Sequence, residues 1–296
     1  MRITAVSYLN TLPFIYGIEQ RVALSRCSAA QTAADGTGRG AAADGEGIVL
    51  SLEVPAQCAA AAIDGRTDVA LVPVAAIPLI PGFSIRDPFF TAETAKFSSQ
   101  ANGRFVPQII TDFCIGAEGA VETVVLLSDT PLEAIRRVYL DAHSRTSVQL
   151  VRVLAREHWR IEPQWTDDAG CVAPLLPGEA RVAIGDKVFA LRAEHRYLLC
   201  LDLAQEWQRF TGGLPFVFAA WVACSPAGRN FAPLLNEALA YGVEHIPESI
   251  TKTVHRSRDF DFPAACAYLT HAIRFDLDDR KRSAMRLFWE KIITPG

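Results

Sequence analysis

Hydrophobic positions along the chain follow two rhythms. Short apolar runs at 2–6, 48–54, 68–74, 121–129 and 214–224 have the length and β-branched content of strands. The segments between many of them carry apolar residues at three- and four-residue spacing, as amphipathic helices do. The first unit predicts a strand over 2–6, a polar loop, and a helix from about Thr11 to Leu24. Pro13 sits in that helix's first turn, where a missing N–H is harmless. "IVLSLEV" (48–54), a helix opened by Pro55 and closed by Gly65, and "DVALVPV" (68–74) form a strand–helix–strand unit. Such a unit predicts parallel pairing and an α/β class.

Further along, 78–120 is loop-rich, with one strand near Phe113–Ala117, and "VETVVLLSD" (121–129) is a clear strand. "PLEAIRRVYLD" predicts a helix running into a strand, and "SRTSVQLVRVLAREHW" (144–159) a capped helix. Val148, Val151, Leu154, Ala155 and His158 share its apolar stripe, which makes His158 a packed residue. "RVAIGDKVFAL" (181–191) reads as strand, turn and helix, and "LPFVFAAWVAC" (214–224) as a long strand. The tail predicts helices over about 229–245, 247–255, 261–272 and 278–293, the last an amphipathic cover for one lobe. The expected organisation is two α/β lobes around an interlobe cleft: 1–120 with 222–296 in the first, 121–221 in the second. Loops at the carboxyl ends of strands would face that cleft, namely 7–10, 144–147 and 185–187. The stretch 25–47, built from Ala, Gly, Ser, Thr, Asp and Arg, has no period and little to bury, and reads as a mobile surface insertion.

Composition narrows the function classes. Among 296 residues half are hydrophobic, and the net charge is −4. No general field attracts nucleic acid or an anionic membrane, so neither is an expected partner and an anionic ligand must be held by local groups. The apolar start is too short for a signal peptide and no window reaches the length of a membrane span. Seven cysteines stand singly, which suits reduced thiols. A cytoplasmic protein is therefore expected. The six histidines lack metal spacing and no phosphate-binding glycine motif occurs, so neither metal nor cofactor is expected.

Six segments, in order, carry a resemblance: "VSYLNTLPFIYG" (6–17), "DVALVPVAAI" (68–77), "FCIGAEGAVETVVLLS" (113–128), "SRTSVQLVRVLA" (144–155), "AIGDKVF" (183–189) and "DLAQEWQRFTGGLPFVFAAWVA" (202–223). Together the chain resembles the chorismate dehydratases of the futalosine route to menaquinone. The resemblance implies a fold like the type II periplasmic solute-binding proteins. It also implies a cofactor-free lyase, monomer or homodimer, that removes water from chorismate to give 3-[(1-carboxyvinyl)oxy]benzoate. Two alternatives remain: the 1,4-dihydroxy-6-naphthoate synthases of the same route, against which "SYLNT" and "SRTS" speak, and a non-catalytic solute-binding module.

Chorismate is a dianion whose hydroxyl leaves as a ring proton is lost, so the protein must hold two carboxylates, orient the hydroxyl and place a base. Ser144, Arg145, Thr146 and Ser147 suit a carboxylate, because Ser144 or Thr146 can cap while the helix's first N–H groups and dipole attract an anion. The other reading is an ordinary cap with Arg145 in solvent. Ser7, Tyr8 and Asn10 interrupt an apolar run with hydrogen-bonding groups, and Asn10 offers both donor and acceptor. Their alternative is loop capping, with Tyr8 a lid or core residue. After Gly185, Asp186 is a positioning group or base, or else an N-cap; Lys187 belongs in solvent. Gly116 and Ala117 open a turn whose amides would contact substrate or whose glycines would permit a hinge, and Glu118 is its one carboxylate. Asn10 and Asp186 are the catalytic candidates. With no compelling protein base, the substrate's own carboxylate is the other candidate for taking the proton.

Overall fold

A computed structural model of the protein describes residues 1–22, 47–91, 105–141, 144–168, 174–194, 196–254 and 261–293. Most of the 25–47 insertion lies outside them. The chain builds two sheets. In the first, β1 (Arg2–Val6) lies between β2 (Val49–Glu53) and β3 (Val69–Pro73), parallel to both. Helix α1 (Leu12–Arg21) carries Pro13 at its start, and α2 (Pro55–Ile63) begins on Pro55, as their sequences predict. Strand β3 is buried at every position, as a strand covered on both faces must be.

From β3 the sheet continues through long antiparallel strands. β4 (Gln108–Ala117) is far longer than the five residues expected. Strand β5 (Val124–Ser128) starts the second sheet, with β6 (Arg137–Asp141), β7 (Gln164–Asp168), β8 (Glu179–Ile184) and β9 (Leu199–Asp202), in spatial order β7-β6-β8-β5-β9. Strand β10 (Phe216–Ala223) returns to the first sheet and pairs with both β3 and β4, and β11 (Arg274–Asp276) closes its edge. The boundary expected at 222 therefore moves to before Phe216: the whole apolar strand is buried between two partners in the first sheet. The segment 131–136, expected to be helical, makes only a 3₁₀ turn at Leu132–Ala134 before β6.

Helix α3 (Arg145–Val153) runs on into a π turn over Leu154–Trp159. His158 at its end is mostly covered: its ring packs against Phe210, 5.6 Å between centroids, and its Nε2 lies 3.4 Å from Glu206. The second lobe adds α4 (Lys187–Glu194) and α5 (Leu203–Phe210). The tail supplies α6 (Pro226–Asn230), α7 (Ala232–Glu244), α8 (Ile246–Val254), α9 (Phe262–Ala267) and α10 (Asp279–Ile293). One apolar cluster runs through both lobes; Trp207 of α5 meets Phe216 of β10 and Phe288 of α10 edge-on.

Two crossings join the lobes, 118–123 and 211–215. α10 grips both: Arg280 donates to the Gly213 carbonyl at 2.9 Å, and the Lys281 ammonium reaches Glu118 at 3.2 Å. No described helix is long and apolar enough to cross a membrane.

Candidate functional site

A cavity opens between the lobes, where the carboxyl end of β1, the start of α3 and the β8–α4 turn converge. This is the position at which α/β sheets collect ligands, because loops leave the strands there and backbone groups are free. Six of the expected site residues line it: Tyr8, Asn10, Ser144, Thr146, Ser147 and Gly185.

Ser144 is the cap of α3. Its Oγ accepts from the Ser147 N–H at 3.1 Å and donates to Ser147 Oγ at 2.9 Å. The capped turn is thus also a wall of the cavity. The remaining N–H groups of the first turn give that wall a partial positive charge. Thr146 bridges the lobes: its hydroxyl accepts from the Ala75 N–H and donates to the Phe218 carbonyl, each at 3.3 Å. Among the described residues no lysine or arginine lines the cavity, so the donors it offers are N–H and O–H groups.

Opposite α3 stands the loop after β1. Asn10 Oδ1 accepts from Thr11 Oγ1 at 3.1 Å. Burial, with the charges of Asp141 and Asp186 adding to it, pushes the Tyr8 phenol up to about 12, so it stays a proton donor. The Tyr8 ring lies against Gly185, whose φ is +68°; a Cβ there would sit 3.3 Å from Tyr8 Cε2. Glycine is needed at 185 both for that backbone conformation and for that approach.

Asp186 does not line the cavity but adjoins it through Gly185. It accepts the Leu9 N–H from the other lobe at 3.4 Å. Burial pushes its carboxyl up to about 6, the one hydrogen bond opposing this only in part. It is ionised near neutrality yet more basic than an ordinary carboxylate, the range in which a proton-transfer group is effective.

The other expected residues are elsewhere. Ser7 is exposed, held through its N–H to the Glu53 carbonyl at 3.0 Å. Arg145 is exposed and does not line the cavity. Gly116 and Ala117 form no turn: they pair within β4 to Val217 and Phe216, and a Cβ at Gly116 would come within 3.2 Å of the Phe216 carbonyl. Close strand packing explains that glycine. Lys187 is not simply solvated, since it pairs with the buried Asp141. Glu118 is held by Lys281 and does not line this cavity. Thr123, Ile115 and Phe218 line the cavity without having been expected, because inside apolar runs they look like core. Among the described residues no group of His, Cys, Asp or Glu is arranged to hold a metal ion.

Comparison with known proteins fits this architecture. A family model described as menaquinone biosynthesis matches residues 93–293, more than half of the chain. Protein AF1704 from Archaeoglobus fulgidus superposes with a TM-score of 0.66 at 13% identity, covering 98% of this chain and 95% of its own. The CA3427 gene product of Candida albicans, described as having the generic periplasmic binding protein fold, gives 0.55 at 10% identity over 97% and 89%. The periplasmic aliphatic sulphonate binding protein SsuA from Escherichia coli gives 0.53 at 15% identity over 100% and 88%. The fold is therefore the two-lobed, periplasmic-binding-protein-like one that the sequence predicts.

Proposed function

The chain belongs to the menaquinone-biosynthesis family, and we propose that within it this protein removes water from chorismate to give 3-[(1-carboxyvinyl)oxy]benzoate. One observation carries the reading. A single interlobe cavity combines the amino-terminal turn of α3, the donors of Tyr8 and Asn10, and, beside it, a carboxyl raised to about 6.

In this reading a substrate carboxylate lies on the first turn of α3, against its N–H groups and the hydroxyl of Ser147, while Thr146 holds that turn to the other lobe. Asn10 orients the departing hydroxyl, with its amide able both to donate and to accept. A ring C–H bond breaks and its electron pair becomes a ring double bond. The C–O bond breaks on the neighbouring carbon, and the hydroxyl leaves as water after gaining a proton. The product ring is aromatic, so the driving force lies in the substrate and the protein's work is placement. Asp186 is the protein group fit to take the proton; the substrate's own carboxylate is the competing base.

The test mixes purified protein with chorismate, without metal or cofactor, and follows mass and ultraviolet absorbance. A product lighter by one water with a new aromatic spectrum supports the reading, and Asn10→Ala and Thr146→Ala should each reduce turnover roughly five- to 150-fold by removing one directed hydrogen bond (roughly 1–3 kcal/mol). Unchanged chorismate from folded protein overturns it. Chorismate bound but not converted would then favour a binding module, and no binding would favour the sister synthase.

A further inference from the structure

The far end of α3 carries chemistry that the steps above do not use. A groove of about 590 Å³ lies there, bounded by the last residues of α3, the π turn Leu154–Trp159 and the segment leading into β7. That volume is in the range of small-molecule sites. Three guanidiniums line it, those of Arg152, Arg156 and Arg160, against one carboxylate, Glu162. Residues four apart share a helix face, so the three arginines form a row. Trp165, Ile161 and Pro163 supply the apolar part of the lining.

The arginines are held in different ways. Arg156 donates to the Glu157 carboxylate and, at 3.1 Å, to the Lys291 carbonyl, which ties it to the end of α10. Arg152 stands over the Trp165 ring, 5.6 Å from its centroid. Among the described residues no carboxylate pairs with Arg152 or Arg160, and both are exposed. Arg160 ends the π turn with φ at +55°, in the left-handed region. Glycine takes that conformation freely, whereas an arginine is strained in it. The chain therefore keeps a guanidinium at a position where the backbone alone would select glycine. Like charges four apart also repel, and the protein as a whole is negative, so the row is a local reversal of sign that a bound anion would neutralise. In this the groove differs from the interlobe cavity, which no described lysine or arginine lines.

We infer that this groove is a second ligand site, taking a planar aromatic ring that carries two or more negative charges. The ring lies against Trp165 and its apolar neighbours, and the anionic groups meet the forks of Arg152 and Arg160, which suit carboxylate and phosphate oxygens alike. The inference stands on these residues and not on the dehydratase reading.

Calorimetric titration and tryptophan fluorescence on the full chain test it. The probes are isophthalate (a benzene ring with two carboxylates), AMP, and succinate as a dianion without a ring. At least one ring-bearing probe should bind wild type with a dissociation constant of about 1 mM or below. It should bind roughly fivefold or more tighter than succinate, and the tighter of the two rings tells whether the charges are carboxylates or a phosphate. The Arg152→Gln/Arg160→Gln variant should weaken that binding about tenfold or more, because charge-assisted hydrogen bonds are lost. Trp165→Leu should weaken the ring-bearing probe, leave succinate as it was, and abolish the fluorescence change. Asn10→Ala, at the interlobe cavity, should leave binding to the groove unaltered. Absence of binding by either ring-bearing probe, succinate binding as tightly as the rings, full binding in the double variant, or loss of binding in Asn10→Ala would each overturn the inference. None of these results bears on the dehydratase reading, which turns on chorismate turnover.

Discussion

Replacing Lys281 with methionine removes the one ammonium that ties α10 to a crossing between the lobes. The Lys281 side chain is wholly buried, and its Nζ lies 2.8 Å from Asp276, 3.2 Å from Glu118 and 3.4 Å from Asp278. Burial pulls the ammonium's pKa down, but the hydrogen bonds and charges of Asp276, Glu118 and Asp278 reverse this and leave it raised. Removing one partner of a buried ion pair costs about 3–5 kcal/mol when the other charge stays buried. Here the three carboxylates keep 34–62% of their side-chain exposure, so water recovers part of that, and about 2–3 kcal/mol remains. Methionine keeps the apolar stem and opens little cavity. For a chain of this size the loss corresponds to roughly 3–5 °C in melting temperature.

The pH dependence gives the sharper check. Burial raises and hydrogen bonding lowers the Asp278 carboxyl, and the Lys281 N–H and ammonium win, leaving it below its usual value. Its contribution is therefore present above the unfolded carboxylate pKa and lost as pH falls through the folded one. The contribution of Lys281, whose pKa is raised, is fully present below the unfolded lysine value and fades only in alkali. Urea unfolding at pH 7 should show the full gap between wild type and Lys281→Met, and the gap should close as pH falls below the carboxylate range. A variant melting within about 1 °C of wild type at pH 7, or a gap that widens in acid, would refute the assignment of net stability to this cluster.

Two further outcomes are expected. Gly185→Ala should cost about 1–2 kcal/mol through its left-handed backbone alone, and should weaken chorismate binding because the new methyl presses on Tyr8; a melt and a titration equal to wild type would contradict it. In wild type, turnover should rise with pH through about 6 as Asp186 ionises, and Asp186→Asn should abolish both that limb and most of the rate. A full rate without the limb would assign the proton to the substrate's carboxylate. Because the folded carboxyl titrates above its unfolded value, its ionisation costs stability as pH rises from the ordinary carboxylate range through about 6. Asp186→Asn should accordingly be more stable than wild type at pH 7 by about 1–3 kcal/mol, read by urea unfolding.

Much of the candidate site was legible because its signals are local. Pro13 and Pro55 start their helices and Ser144 caps its own, each for reasons that need no distant partner. Tyr8, Asn10 and the 144–147 turn stood out as polar groups after strands, and they do face one cavity. Thr123 and Phe218 were hidden because a polar or aromatic residue inside an apolar run is indistinguishable from core until its neighbours are known. Gly116 misled for the related reason that a glycine reads as a turn, whereas here it lets three strands pack. The short strands β7, β9 and β11 have no strong period of their own and exist through the partners beside them.

The sequence by itself determined the α/β class, the apolar strands at 2–6, 68–74 and 214–224, the proline-started and capped helices, and the polar character of the loops that became the cavity. Hydrophobic period, proline and capping chemistry act within a few residues, and they survive any change of neighbours. Only the tertiary structure decided which sheet took Phe216–Ala223, which carboxylates gathered around Lys281, and that Tyr268 reaches Thr123 from 145 residues away. Those choices depend on burial, pairing and charge compensation between distant segments, and such energies come into being only when the chain has closed on itself.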